Sequence, residues 1–180
     1  EGGEIQLRPL DRFEPSTAAS GGAGEAPYQP FFSPDGEWLG YVTPAEMKKV
    51  STAGGAPITL CKVDLSRGAT WGPDGTIVFA PAPRSGLSRV SSAGGEPQPL
   101  TTLSEGNVSH RWPQWLPGGK AVLFTSIDER ADNFEGANLE VVTVATGERT
   151  IVHRGGYHGR YAATGHILYV HEGTLFALPF

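Results

Sequence analysis

FFSPDGEWLGY occupies residues 31–41, and a variant of it, TWGPDGTIVF, returns at residues 70–79. Weaker copies follow as QWLPGGKAVLF at 114–124 and RYAATGHILY at 160–169. Aligned on their turn glycines, Gly36, Gly75, Gly119 and Gly165, the copies are spaced by 39, 44 and 46 residues. Periods of about 40 to 50 residues with strand-like content indicate propeller blades. Each glycine is preceded, four residues earlier, by a large aromatic: Phe32, Trp71, Trp115 and Tyr161. Each is followed by a largely apolar triplet ending in Tyr41, Phe79, Phe124 or Tyr169. Runs of β-branched and aromatic residues bounded by Gly and Pro read as buried strands. In Pro34-Asp35-Gly36 and Pro73-Asp74-Gly75, Pro presets φ, Asp bonds back to the backbone and Gly accepts positive φ, so each copy opens with a β-hairpin.

A second hairpin follows the first. Met47-Lys48-Lys49-Val50 and Leu87-Ser88-Arg89-Val90 both run into SxAGG, and residues 139–147 hold a looser version. The unit therefore has four strands, a to d. Pro57, Pro97 and Pro99 fall around strand d, which places it at the sheet edge, where a missing N–H is tolerated, and strand a innermost. A helix starting at Pro44 is the competing reading of PAEMKKV, but its counterpart at residues 85–90, SGLSRV, is poor helix material. An immunoglobulin-like sandwich would also use short strands and Gly/Pro turns, without repeats of this length.

The predicted fold is therefore all-β: a β-propeller of four-stranded antiparallel blades with about four repeats. Residues 5–10 and 175–180 both resemble strand c, so the chain begins and ends in the same phase. The expected division is a part-blade at 5–27, blades at 28–67, 68–110 and 111–156, and a partial blade at 157–180. Two geometries satisfy it. Either strand d near residues 15–19 completes the last blade and closes a small ring, or the chain is an arc of a larger propeller. An arc leaves blade edges open to self-association, so an isolated chain of this length is expected to close or pair.

Bulk properties narrow the function. A chain of 180 residues with net charge −5 and no basic run lacks the footprint expected of a nucleic-acid binder. No apolar run approaches the roughly 20 residues needed to cross a bilayer, and the start, EGGEIQLRPL, is too polar for a signal peptide. The single cysteine, Cys61, allows no intramolecular disulfide and leaves the compartment open.

The ordered set FFSPDGEWLGY, LxxVSxAGG, GATWGPDGTIVFAP, SHRWPQWLPGGKAVLFT and GRYAATGHILYV…GTLFALPF resembles the TolB-type, WD-repeat-like propeller. More narrowly, it is similar to the sensor-side propeller appended to bacterial serine/threonine protein kinases. The resemblance runs from about residue 5 to 180. It implies a bacterial ligand- or protein-binding propeller in a signalling or envelope setting, extracytoplasmic if it is part of a longer protein of that kind, with no catalytic residues to carry over. The SPDG turn is shared with the gating propellers of prolyl-oligopeptidase-type peptidases, which remain an alternative. The 180 residues contain no GxGxxG, VAIK, HRD or DFG kinase motif.

Enzyme signatures are equally sparse: no GxSxG, HExxH, GxxxxGK[ST] or EF-hand loop occurs. No cofactor is expected. Of five histidines, His110 and His158 precede strand a of consecutive blades and can approach each other, as a metal-assisted lyase would require, but no third ligand is evident and no metal site is assigned.

Strand direction supplies a better candidate. Residues entering strand a gather at the central opening: Tyr28, Arg67, Arg111 and Tyr157 at one level, with Phe31, Thr70, Gln114 and Arg160 three residues deeper. The candidate binding set is Arg67, His110, Arg111, Gln114, Tyr157, His158 and Arg160, suited to a protein partner or a small anionic ligand because Arg offers a rigid fork of donors. The competing reading has Arg67 and Arg111 bracing neighbouring blades. The longest b–c loop, residues 126–138, emerges on the same face with Asp128, Glu129, Asp132 and Glu135. Phe32, Trp71, Trp115 and Tyr161 recur at one blade position and are expected to be structural core. Trp38 and Trp112 lie off that column and are expected at solvent, a blade edge or a ligand.

Overall fold

A computed structural model describes residues 3–22, 24–129 and 133–180. The described residues form five antiparallel sheets. The first is a hairpin of β1 (Glu4–Leu7) and β2 (Ser16–Ser20). Three four-stranded blades follow: β3 (Tyr28–Phe32), β4 (Trp38–Val42), β5 (Glu46–Ser51) and β6 (Ile58–Lys62); β7 (Ala69–Trp71), β8 (Thr76–Phe79), β9 (Ser88–Ser91) and β10 (Gln98–Pro99); β11 (Asn107–Trp115), β12 (Ala121–Asp128), β13 (Asn138–Thr143) and β14 (Arg149–Arg154). A three-stranded sheet of β15 (Tyr157–Ala162), β16 (His166–His171) and β17 (Thr174–Pro179) ends the chain. Each blade is laid down in sequence order, as an up-and-down meander requires. PAEMKKV forms β5, a strand, and the one helical turn among the described residues is a 3-10 segment at Phe134–Gly136.

Local chemistry explains the hairpins. In the first, Asp35 Oδ1 accepts from Glu37 N–H and from the Ser33 hydroxyl, and Gly36 sits at φ +73°. Asp74 accepts from Thr76 N–H in the same way, with Gly75 at φ +81°. The edge prolines shorten strand d: β10 is only two residues long.

The core lies between sheets. Val42, Met47, Trp71, Ile77 and Phe79 fill the space between the first and second blades. Val78, Leu87, Val122, Phe124 and Val142 fill the next gap, and Leu123, Leu139, Ile167 and Tyr169 the one after it. The β1–β2 hairpin packs Ile5, Leu7 and Ala19 on Leu39, Tyr41 and Val50 of the first blade.

The aromatic column runs through these gaps with one departure. Trp71 is buried, while Trp115 and Tyr161 pack half-buried against the second and third clusters. Phe32 corrects the expectation: it is 54% exposed. It pairs across strands with Leu39, as Trp71 does with Ile77, so it occupies the matching register. Among the described residues, however, the sheet in front of it has two strands, β1 and β2, and leaves Phe32 largely uncovered.

One side-chain swap keeps the blades superimposable. The position preceding the column aromatic faces a cross-strand partner: Phe31 opposite Gly40, Thr70 opposite Val78, Gln114 opposite Leu123, Arg160 opposite Leu168. The largest apolar member meets the smallest partner, and a Cβ on Gly40 would collide with the Phe31 ring.

Of the two closure geometries, strand exchange is not made: β17 pairs with β16 and β2 with β1. The sheets stand in a row, with Leu175 and Phe180 on the last one 67% and 50% exposed.

Candidate binding site at the rim of the inner strands

Each innermost strand is broken at the same place. Three steps along β3, from Tyr28 to Phe31, oppose two along β4, and the same bulge recurs from Arg111 to Gln114 in β11 and from Tyr157 to Arg160 in β15. The bulge puts one residue per strand into left-handed backbone: Gln29 at φ +50°, Trp112 at +52° and His158 at +56°. The second blade has Gly68 there, at φ +115°. Non-glycine residues in this region cost on the order of 1–3 kcal/mol each and persist only where surroundings hold them. Here neighbouring blades hold them. Trp112 N–H donates to Arg67 O at 2.9 Å, Trp112 O accepts from Arg160 Nη1 at 2.9 Å, and His158 N–H donates to Thr125 Oγ1 at 3.1 Å.

The bulges re-aim side chains onto one rim. Trp112 stacks on His158, with centroids 5.0 Å apart and 22° between planes. Phe134, from the 3-10 turn, packs 5.1 Å from Trp112 and 5.4 Å from Tyr157, and the Arg111 guanidinium lies 5.4 Å from its centroid. The turn is tied across to the last sheet: Glu135 O accepts from Gly156 N–H, and its Oε2 accepts from Glu172 N–H and lies 3.1 Å from His171 Nδ1. Asn133 caps it through Glu135 N–H. Of the acidic residues expected in this loop, Glu135 thus faces the last sheet, and Asp132 lies outside the described residues.

The candidate residues separate into two groups. Arg67, Arg111, Tyr157, His158 and Arg160 reach the rim. Arg67 Nη1 donates to Leu65 O; Arg111 donates to Ser109 Oγ and, across to the second blade, to Pro83 O; Arg160 spans to Trp112 O. Arg111 and Arg160 therefore do brace neighbouring blades, as the competing reading expected of Arg111. Burial, and for Arg111 then the Arg67 charge, hold both guanidiniums below their ordinary value. Partial burial, then Arg160, likewise lower the His158 pKa, so that ring offers the rim a flat face more than a charge.

Gln114 and His110 do not reach it. Both amide atoms of Gln114 are spent on Tyr161, Oε1 accepting from its N–H at 2.7 Å and Nε2 donating to its carbonyl at 3.3 Å. His110 is fully buried, 4.8 Å from the Phe124 ring. Its Nε2 lies 3.0 Å from Arg149 Nη1, which can only donate, so Nδ1 carries the proton and donates to Thr101 Oγ1 at 2.7 Å. Burial and then Arg149 lower its pKa to about 4. His110 and His158 are accordingly not brought together, and among the described residues no group of three His, Cys, Asp or Glu is arranged to hold a metal ion.

Phe134 was not legible as a rim residue, because its loop has no counterpart in the other repeats. Trp112 carried a signal: it aligns with Gln29, Gly68 and His158, and Pro30, Pro113 or Gly159 follows three of the four.

The fold is that of a TolB-like β-propeller. A structure assigned to TolB from Agrobacterium tumefaciens superimposes with a TM-score of 0.76 at 17% identity, over 92% of this chain and 62% of that one. A nidogen/laminin complex matches with a TM-score of 0.74 at 16% identity, over 94% of this chain and 67% of that one. An oligogalacturonate lyase from Vibrio parahaemolyticus matches with a TM-score of 0.65 at 16% identity, over 82% and 46%. The chain thus spans about half to two thirds of the length of these propellers. No protein-family model and no curated protein sequence matches it. A lyase shares the architecture with TolB and with a protein of the nidogen/laminin complex, so function has to be argued from the rim.

Proposed function

We propose that this propeller is a binding module without catalytic chemistry of its own, and that it engages a protein partner through the Trp112 rim. The observation that carries this reading is the rim's composition: Trp112, Phe134, Tyr157 and Arg111 meet in one half-exposed cluster. Trp, Tyr and Arg are the residues that dominate protein–protein hot spots, because they bring large contact area and directional donors at low entropic cost. The rim is also open. Five cavities of about 190 to 530 Å³ lie elsewhere, lined by none of Arg111, Trp112, Phe134 and Tyr157, whereas small molecules favour enclosed clefts. The resemblance to kinase-appended propellers extends the reading to a sensory or scaffold segment of a bacterial kinase. Among the structural neighbours, the nidogen/laminin complex is itself a protein–protein assembly.

A photo-crosslinking residue at position 134, compared with one at exposed Lys62 on the outer strand β6, tests it in cells. A discrete protein adduct formed from position 134, and lost on Trp112→Gly, is expected. Adducts that ignore Trp112, or form equally from position 62, contradict it.

A further inference from the structure

The guanidiniums of Arg67, Arg111 and Arg160 reach the rim without an ion-pair partner among the described residues; Asp64 acts on the Tyr28 hydroxyl together with Arg67 but forms no salt bridge with it. Arg67 and Arg111 act on each other electrostatically, and Arg160 is bonded to Trp112, the residue that follows Arg111. Their bonding partners are all neutral: the carbonyls of Leu65, Ser66, Pro83, Trp112 and Gly159, and the Ser109 hydroxyl. Among the described residues no carboxylate pairs with any of the three. Lys48 pairs with Glu46 and Arg149 with Glu140, and Glu135 lies beside His171, all away from the three arginines. Among the described residues, Arg111 Nη1 and the Nε and Nη2 of Arg67 and Arg160 have no acceptor. A chain of net charge −5 therefore carries a local cluster of positive charge, part-buried and flanked by aromatic rings.

Charges taken out of water are stable when paired, and a guanidinium fork fits a carboxylate with two parallel bonds. Carbonyl partners fix the three side chains in place without neutralising them, so they form a preorganised receptor rather than a set of internal salt bridges. Resting on the reading of the rim as a protein-binding surface, we infer that the partner presents an acidic polypeptide segment, whose carboxylates dock on Arg67 and Arg111 while its neighbouring side chains cover Trp112 and Phe134. A polypeptide is favoured over an acidic sugar because the surface is open and of hot-spot composition. Arg160 braces Trp112 through its carbonyl.

Fluorescence anisotropy of a labelled hexaglutamate peptide tests this, run beside its hexaglutamine counterpart and a labelled oligogalacturonate. The proteins are the wild type, Arg111→Gln, Arg67→Gln and Trp112→Gly, each first shown to be folded by urea denaturation. The expected result is saturable binding of hexaglutamate alone, weakened at least about tenfold by either arginine change and weakened by salt. Equal binding of the glutamine peptide, lost on Trp112→Gly, would overturn the acidic specificity and leave the rim as a protein site. Binding of oligogalacturonate without hexaglutamate would overturn the polypeptide source, and binding of no probe by the folded protein would overturn the inference. The crosslinking result at position 134 stands or falls separately.

Discussion

Trp115 and Trp112 lie three residues apart on one strand and have opposite surroundings. Trp115 packs against the cluster between the second and third blades, and Gly72 approaches so closely that a Cβ there would stand 2.5 Å from the indole. Trp112 sits on a bulge in left-handed backbone, stacks on His158 and packs at a tilt against Phe134 at the rim. The histidines repeat the contrast: His110 is sealed between sheets, and His158 is exposed. A single extra residue in the innermost strand separates side chains that hold blades together from side chains left for a partner.

The largest expected effect is on the packed side of this contrast. Trp71→Ala, at the buried position matching Trp115, should cost about 3–5 kcal/mol in urea denaturation; a loss below about 1 kcal/mol would show that the column does not carry the stack.

Acid should act on the same interior. The unfolded His110 takes up a proton near its ordinary value of 6.5, whereas the folded one resists until about 4. Its contribution is therefore complete above about pH 6.5 and drains away as pH falls toward 4, to a limit of roughly 3 kcal/mol. Arg149 and, behind it at 3.8 Å, Glu140 face the same network. Stability curves of wild type and His110→Gln between pH 7 and 4 isolate the histidine: the variant should lose the slope, and parallel curves would assign it elsewhere.

A smaller effect tests the size exchange in the first blade. Gly40→Val should destabilise by about 1–3 kcal/mol through overpacking on Phe31. Adding Phe31→Thr reproduces the Thr70–Val78 pair of the next blade and should recover most of the loss; failure to recover would mean that the blades are not interchangeable at this layer. The smallest effect belongs to Phe32→Ala, expected to cost under about 1 kcal/mol because more than half of that side chain is already in water.

Strand content and blade periodicity were legible because each repeat restates its turn and its aromatic, and because such signals are local. The exposure of Phe32 was not, since it depends on which strands the preceding sheet lacks. Nor was the separation of His110 from His158, which follows from the bulge: the alignment places them in nearly the same slot, and one displaced residue sends them to different sides. Gln114 looked free for a ligand because its partner, the Tyr161 backbone, belongs to another blade. The arginines were legible as a group, but their neutral partners were not.

Equilibrium urea denaturation of Trp112→Gly beside Trp115→Ala tests the division of β11 most directly. Trp115→Ala should shift the midpoint sharply downward, while Trp112→Gly stays within about 1 kcal/mol of wild type, because glycine suits positive φ and Gly68 already fills that place in the second blade. Equal losses, or a larger loss at Trp112, would contradict the separation of rim from stack.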